Sequence, residues 1–174
     1  QGASPLEAAV RTTPWTMAPM VIAPLAGIFA PRIGTRMLMI AGLLLQAGAL
    51  GWLAATMSTD TPYAEMVAPF IMAGVGMGLV FAPSATALLA TLGVLDHAKA
   101  SGVNSTVREI GIALGTAVMT AVFLGAGGQL VPDLYVTAAQ PAVYVGAAVL
   151  LATAIVALWL PAGRSSTRTA TVAH

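Results

Sequence analysis

Six residues carry side chains or backbone effects that could serve a chemical or gating purpose. Asn104 and Arg108 stand four apart, which puts them on one helix face, with Glu109 alongside. Such a group suits an ion-paired gate at a helix end, and it equally suits a solvated helix end that anchors a positive loop. Gln46 is a lone amide in an apolar run, able to line a polar path or to hydrogen-bond a neighbouring helix. Pro83 removes a backbone donor and so frees the carbonyl of Leu79, and the hydroxyl of Ser84 is close enough in sequence to compensate. That pair reads as a hinge or as a tolerated kink. Gly74 with Gly78, and Gly111 with Gly115, have the spacing that lets two helix backbones approach closely, which is packing rather than ligand contact.

Reactive constellations are missing. There is no Gly-rich phosphate loop ending in Lys-Ser/Thr, no His-Glu-x-x-His pair and no Gly-x-Ser-x-Gly elbow, and Ser84 stands in Ala-Pro-Ser-Ala with no His nearby. The chain has two His and no Cys, so a disulfide framework and a thiolate metal site are excluded. We expect neither an enzyme nor a resident metal or cofactor.

The elements that would position these residues follow from the composition. Of 174 residues, 58% are hydrophobic and 7% are charged, whereas a soluble domain carries about 25% charged residues. So few charges cannot cover a water-exposed surface. A soluble enzyme, a nucleic-acid binder and a disordered chain are all excluded, and an integral membrane protein remains.

The charged residues leave five long gaps: Thr12–Pro31, Met37–Thr59, Met66–Leu95, Ile110–Pro132 and Leu134–Gly163, of 20, 23, 30, 23 and 30 residues. A helix needs about 20 apolar residues to cross the hydrocarbon core, so each gap spans once. Backbone polar groups find no water there, which forces each gap to be helical. The expected organisation is an all-α bundle over residues 1–161, with spans at about 12–31, 37–57, 66–90, 106–127 and 141–160, and a disordered tail over 162–174. Pro19 and Pro24 should bend the first span. The connection over 31–36 should be a tight turn at Gly34 joining adjacent antiparallel helices.

Alternate connections share a side of the membrane. Arg32, Arg36, Lys99, Arg108, Arg164 and Arg168, six of the seven basic residues, fall in one set; the other holds Arg11. Basic residues are retained on the cytoplasmic side, so the N-terminal end is expected outside and the C-terminus in the cytoplasm of an inner (plasma) membrane. Pro14 and Trp15 mark the outer interface. An outside start at Gln1 with no initiator Met suggests a C-terminal fragment of a larger protein.

A family resemblance sharpens this. Gly27-Ile28-Phe29-Ala30-Pro31-Arg32-Ile33-Gly34-Thr35-Arg36 resembles the Gly-x-Leu-Ala-Asp-Arg-x-Gly-x-Arg cytoplasmic loop of the major facilitator superfamily. The likeness extends to the fourteen-span drug:proton antiporters of the EmrB/QacA type. It runs through Ser4-Pro5-Leu6-Glu7-Ala8, Pro14-Trp15-Thr16, Ala23-Pro24-Leu25-Ala26-Gly27, Gly42-Leu43-Leu44-Leu45-Gln46-Ala47, Gly74-Val75-Gly76-Met77-Gly78-Leu79, and Ala100-Ser101-Gly102-Val103-Asn104-Ser105-Thr106-Val107-Arg108-Glu109. These pieces cover nearly the whole chain in order, and the resemblance implies that the five spans are the last five of fourteen. Pro31 replaces the loop's Asp, which leaves Arg32 and Arg36 with topological and lipid-facing roles and weakens a charge-relay switch in this half.

The resemblance implies a secondary active transporter working by alternating access: a proton-coupled exporter of drugs or amphipathic metabolites. Its partners would be membrane lipid, the missing N-terminal helices, a small-molecule substrate and protons, with no nucleic acid. A carrier of one specific solute, such as a sugar or amino acid, and a five-span scaffold without transport are the alternatives. None of the five gaps contains Asp, Glu, Lys, Arg or His, so a proton-carrying side chain would have to lie elsewhere in such a carrier.

Overall fold

The computed structural model describes residues 5–58, 61–90, 96–129 and 131–159. The expected disordered tail over 162–174 lies outside the described residues. Five helices follow one another: α1 (Pro5–Ile33), α2 (Thr35–Thr56), α3 (Tyr63–Ala90), α4 (His97–Gly125) and α5 (Pro132–Trp159). All five are long and apolar enough to cross a membrane, and no strand occurs among the described residues. The fold is all-α, as the charge-free gaps require.

The helices overrun the apolar gaps. α4 is already helical at His97, well before the apolar run begins, and α5 starts at Pro132 rather than near Pro141. Helical hydrogen bonding does not stop where a charged residue appears, and proline is well suited to a first helical position because its missing N–H would be unpaired there anyway. Pro141 lies inside α5, and Pro14, Pro19, Pro24 and Pro31 all lie inside α1.

The expected connection over 31–36 contracts to a single residue. α1 continues through Pro31 and Arg32 to Ile33, and α2 begins at Thr35. Gly34 makes the turn at φ +93°, a backbone conformation that L side chains rarely adopt. The Gly34 N–H donates to the Ala30 carbonyl, and the Leu38 N–H donates to the Gly34 carbonyl.

Joined so tightly, α1 and α2 nevertheless pack mainly on α3 rather than on each other, which corrects the expectation of an adjacent pair. Glycines on opposite faces of α3 are the reason. A Cβ placed on Gly74 would lie 2.6 Å from the Trp15 carbonyl oxygen of α1, and one on Gly78 would lie 2.9 Å from Ile22 Cβ. On the other face, a Cβ on Gly76 would lie 2.6 Å from the Gly42 carbonyl oxygen of α2, and one on Gly42 would lie 2.7 Å from the Gly76 oxygen. Without side chains at these positions α3 wedges between its neighbours, backbone against backbone. α5 packs on α2, and α4 packs chiefly on α5. In the order of their contacts the helices run α1, α3, α2, α5, α4.

Candidate functional site

The sequence-selected residues separate into two groups. Gln46 is half-buried on α2, at the contact with α3, where a Cβ on Gly76 would lie 3.1 Å from Gln46 Cβ and 3.0 Å from its backbone nitrogen. Pro83 is fully buried further along α3. Ser84, half-buried beside it, donates its hydroxyl to the Phe81 carbonyl at 2.9 Å. The hydroxyl therefore serves the carbonyl three residues back instead of compensating at Leu79. Gly74 and Gly78 seat α3 on α1 in the same region, so Gln46, Pro83, Ser84 and the two glycines share the α1–α3–α2 layer.

Asn104, Arg108 and Glu109 stand apart from that layer. All three are exposed on α4, and the Arg108 guanidinium lies 3.4 Å from the Glu109 carboxylate. Lys99 and Asp96 form a second exposed pair at 3.2 Å. Pairs exposed to this degree contribute little by themselves. Around Gly111 and Gly115 there is open space, and no residue of α4 is buried. In the loop motif, a Cβ on Gly27 would meet nothing within 4 Å, Arg32 is exposed and Arg36 is half-buried.

Four contacts at the opposite end of the bundle carry side chains that the sequence reading did not join. The Tyr63 hydroxyl of α3 donates to the Arg11 carbonyl of α1 at 2.9 Å, and the Arg11 guanidinium carbon lies 5.6 Å from the Tyr63 ring centroid. Trp15 stacks on Phe70 with centroids 6.3 Å apart. The Gln140 amide of α5 donates to the Ala54 carbonyl of α2 at 2.7 Å. Phe123 of α4 meets Tyr135 of α5 with ring centroids 5.1 Å apart. The signal available for Gln140 is its place as the one amide in an Ala-Ala-Gln-Pro-Ala run, just before the expected span over 141–160.

Beside Phe123 and Tyr135 a groove of about 310 Å³ opens between α4 and α5, lined also by Met119, Thr120, Ala139, Ala142 and Val143. Its walls are mostly apolar, with two hydroxyls, so it would accept an apolar surface more readily than a charged one. Among the described residues no cluster of His, Asp or Glu could hold a metal ion.

A family profile described as Major Facilitator Superfamily matches residues 1–173. A tetracenomycin C resistance and export protein of Streptomyces glaucescens is 29% identical over 82% of this chain and 26% of its own length. A cephamycin export protein of Amycolatopsis lactamdurans is 32% identical over 91% of the chain and 30% of its own length. A multidrug resistance protein B homolog of Mycobacterium tuberculosis is 28% identical over 67% of the chain and 22% of its own length. The chain thus spans less than a third of the length of these relatives.

Proposed function

Because the chain belongs to the major facilitator superfamily, we propose that it is the C-terminal five-helix part of a proton-coupled exporter of amphipathic drugs or metabolites, in the fourteen-span drug:proton antiporter branch. The observation that carries this reading is the similarity to proteins named for export and multidrug resistance, over 67% to 91% of the chain. The exposed length of α4 supports the partial character: a 29-residue membrane-capable helix with nothing buried has a face on which the remaining helices of a carrier would pack.

In this reading the α1–α3–α2 layer lines part of the path. Gln46 offers an amide to a polar group of the cargo, and Pro83 with Ser84 gives α3 a point of flexure. Asn104, Arg108 and Glu109 form part of a gate at the cytoplasmic mouth of α4, and Arg32, Gly34 and Arg36 hold the short loop on that same side. Protons are carried by a carboxylate in the remaining helices, since the five apolar gaps hold no titratable Asp, Glu, Lys, Arg or His.

The test begins with the genomic DNA upstream of the Gln1 codon. The complete reading frame is then expressed in an efflux-deficient bacterium, and accumulation of a fluorescent amphipathic dye is followed with and without a protonophore. The reading predicts about nine further spans, one of them with an Asp or Glu, and dye exclusion that the protonophore abolishes. A frame with about seven further spans would indicate a twelve-span carrier. A frame that begins near Gln1, or a complete carrier that leaves dye accumulation unchanged, would overturn the reading.

A further inference from the structure

We infer that Gln140 is the register pin of the α2–α5 pair: its single side-chain hydrogen bond fixes how far α5 sits along α2. The fully buried residues of α5 are small. Among the described residues of α5 the buried ones are Ala138, Ala142, Ala147 and Ala154. Gly146 faces both α2 and α4, with Leu50 Cδ1 3.6 Å and Met119 Cε 3.7 Å from where its Cβ would be. Ala147 and Ala154 follow Gln140 at seven-residue spacing, so the fully buried positions on its stripe of α5 carry methyl groups rather than the large knobs that interlock in neighbouring holes.

The bond from Gln140 is directional, and its acceptor is buried. Ala54 has a relative exposure of 0%, so water does not reach its carbonyl, and Ala54 lies in the last turn of α2, where carbonyls lack helical donors. The Gln140 amide meets that oxygen at 2.7 Å. Another carbonyl of the same helix end is met from within its own connection: Thr61, 6% exposed, donates its hydroxyl to the Thr56 carbonyl at 2.6 Å. The Ser58 N–H donates to that hydroxyl in turn at 3.0 Å. Thr61 thus closes the helix end locally, whereas Gln140 closes it from another helix. Sliding α5 by one turn would strand the Ala54 carbonyl in an apolar contact. This inference does not depend on what the carrier moves.

The chain has no cysteine, so disulfide trapping needs no prior substitution. In membranes containing the full 174-residue chain, Leu50→Cys is paired in turn with Gly146→Cys, Ala142→Cys and Leu150→Cys and oxidised. With Gln140 present the 50–146 pair should cross-link about tenfold faster than the pairs one turn away, because disulfides do not bridge Cα atoms beyond about 7 Å. With Gln140→Leu that preference should fall below about threefold, the off-register pairs gaining what 50–146 loses. Thr61→Val, which removes only the local cap, should keep the preference. Unchanged selectivity in Gln140→Leu would overturn the inference, as would an equal loss in Thr61→Val. Loss of cross-linking at every pair would overturn it too, since Gln140 would then be holding the helices together rather than setting their register.

Discussion

A methyl group added to Gly76 would have to occupy space 2.6 Å from the Gly42 carbonyl oxygen, and the nearest alternative position is taken by the Gln46 backbone. Backbone cannot rotate away as a flexible side chain can. Gly76→Ala should therefore destabilise the chain by about 1–3 kcal/mol, read as a lower midpoint in denaturant titration of the detergent-solubilised chain. Gly74→Ala, aimed at the Trp15 oxygen, should behave alike. Gly111→Ala and Gly115→Ala face open space and should raise stability by up to about 1 kcal/mol in this chain, as the loss of glycine from a helix interior normally does. Were the same substitutions costly in a complete carrier, α4 would be packed there by helices from outside this chain. Sequence spacing alone marks both glycine pairs equally. What distinguishes them is the neighbour, and a neighbour is a tertiary fact. Gly76 was harder still, because its partner Gly42 lies on another helix and the two share no local motif.

Helix ends, more than helix interiors, separate what composition dictates from what packing decides. Five charge-free gaps require five helices because unpaired backbone is too costly in hydrocarbon, and the described residues form five helices. Composition does not say where hydrogen bonding stops: α1 carries on through Pro31, and α2 follows after a single glycine. Gly34→Ala forces a Cβ into φ +93° and should cost about 1–3 kcal/mol, with the loss visible in the same denaturant titration. At the far end of α2, Thr61→Val removes the buried hydroxyl that meets the half-buried Thr56 carbonyl and accepts from the Ser58 N–H, and should cost about 1 kcal/mol as those two bonds are lost. Ser84→Ala is the contrasting case. Its hydroxyl bonds only the Phe81 carbonyl in its own helix, so a change within about 0.5 kcal/mol is expected despite the adjacent Pro83. The Ser84 hydroxyl was legible as a backbone donor from its place after Pro83; which carbonyl it meets was not, because rotamer and helix geometry settle that choice.

Across the whole molecule the three tryptophans mark two levels. Trp15, near the start of α1, and Trp52, near the end of α2, lie toward the end of the bundle where Arg11 meets Tyr63, while Trp159 closes α5 at the opposite end with 86% of its surface exposed. Tryptophan favours both membrane–water interfaces, so these levels are where the borders of the bilayer are expected. α4 has 29 residues, about 43 Å at 1.5 Å per residue, against about 30 Å of hydrocarbon. Counting back from Gly125 places its first two to three turns, with Lys99 and Asn104, beyond the border on the side of Gly34, and Arg108 and Glu109 about one turn inside it. That side also holds Arg32 and Arg36, and by the retention of basic residues on the cytoplasmic side we propose that it faces the cytoplasm. Single cysteines in this naturally cysteine-free chain test the assignment directly. Ser101→Cys, exposed on the protruding turns of α4, should react with a membrane-impermeant maleimide in inside-out vesicles and be protected in right-side-out ones. Gln129→Cys, exposed in the connection between α4 and α5, should show the reverse. If both sites labelled from the same face, α4 would not cross the membrane. If the pattern were inverted, the excess of basic residues would lie outside, and the gate assigned to Asn104, Arg108 and Glu109 would stand at the wrong mouth of the carrier.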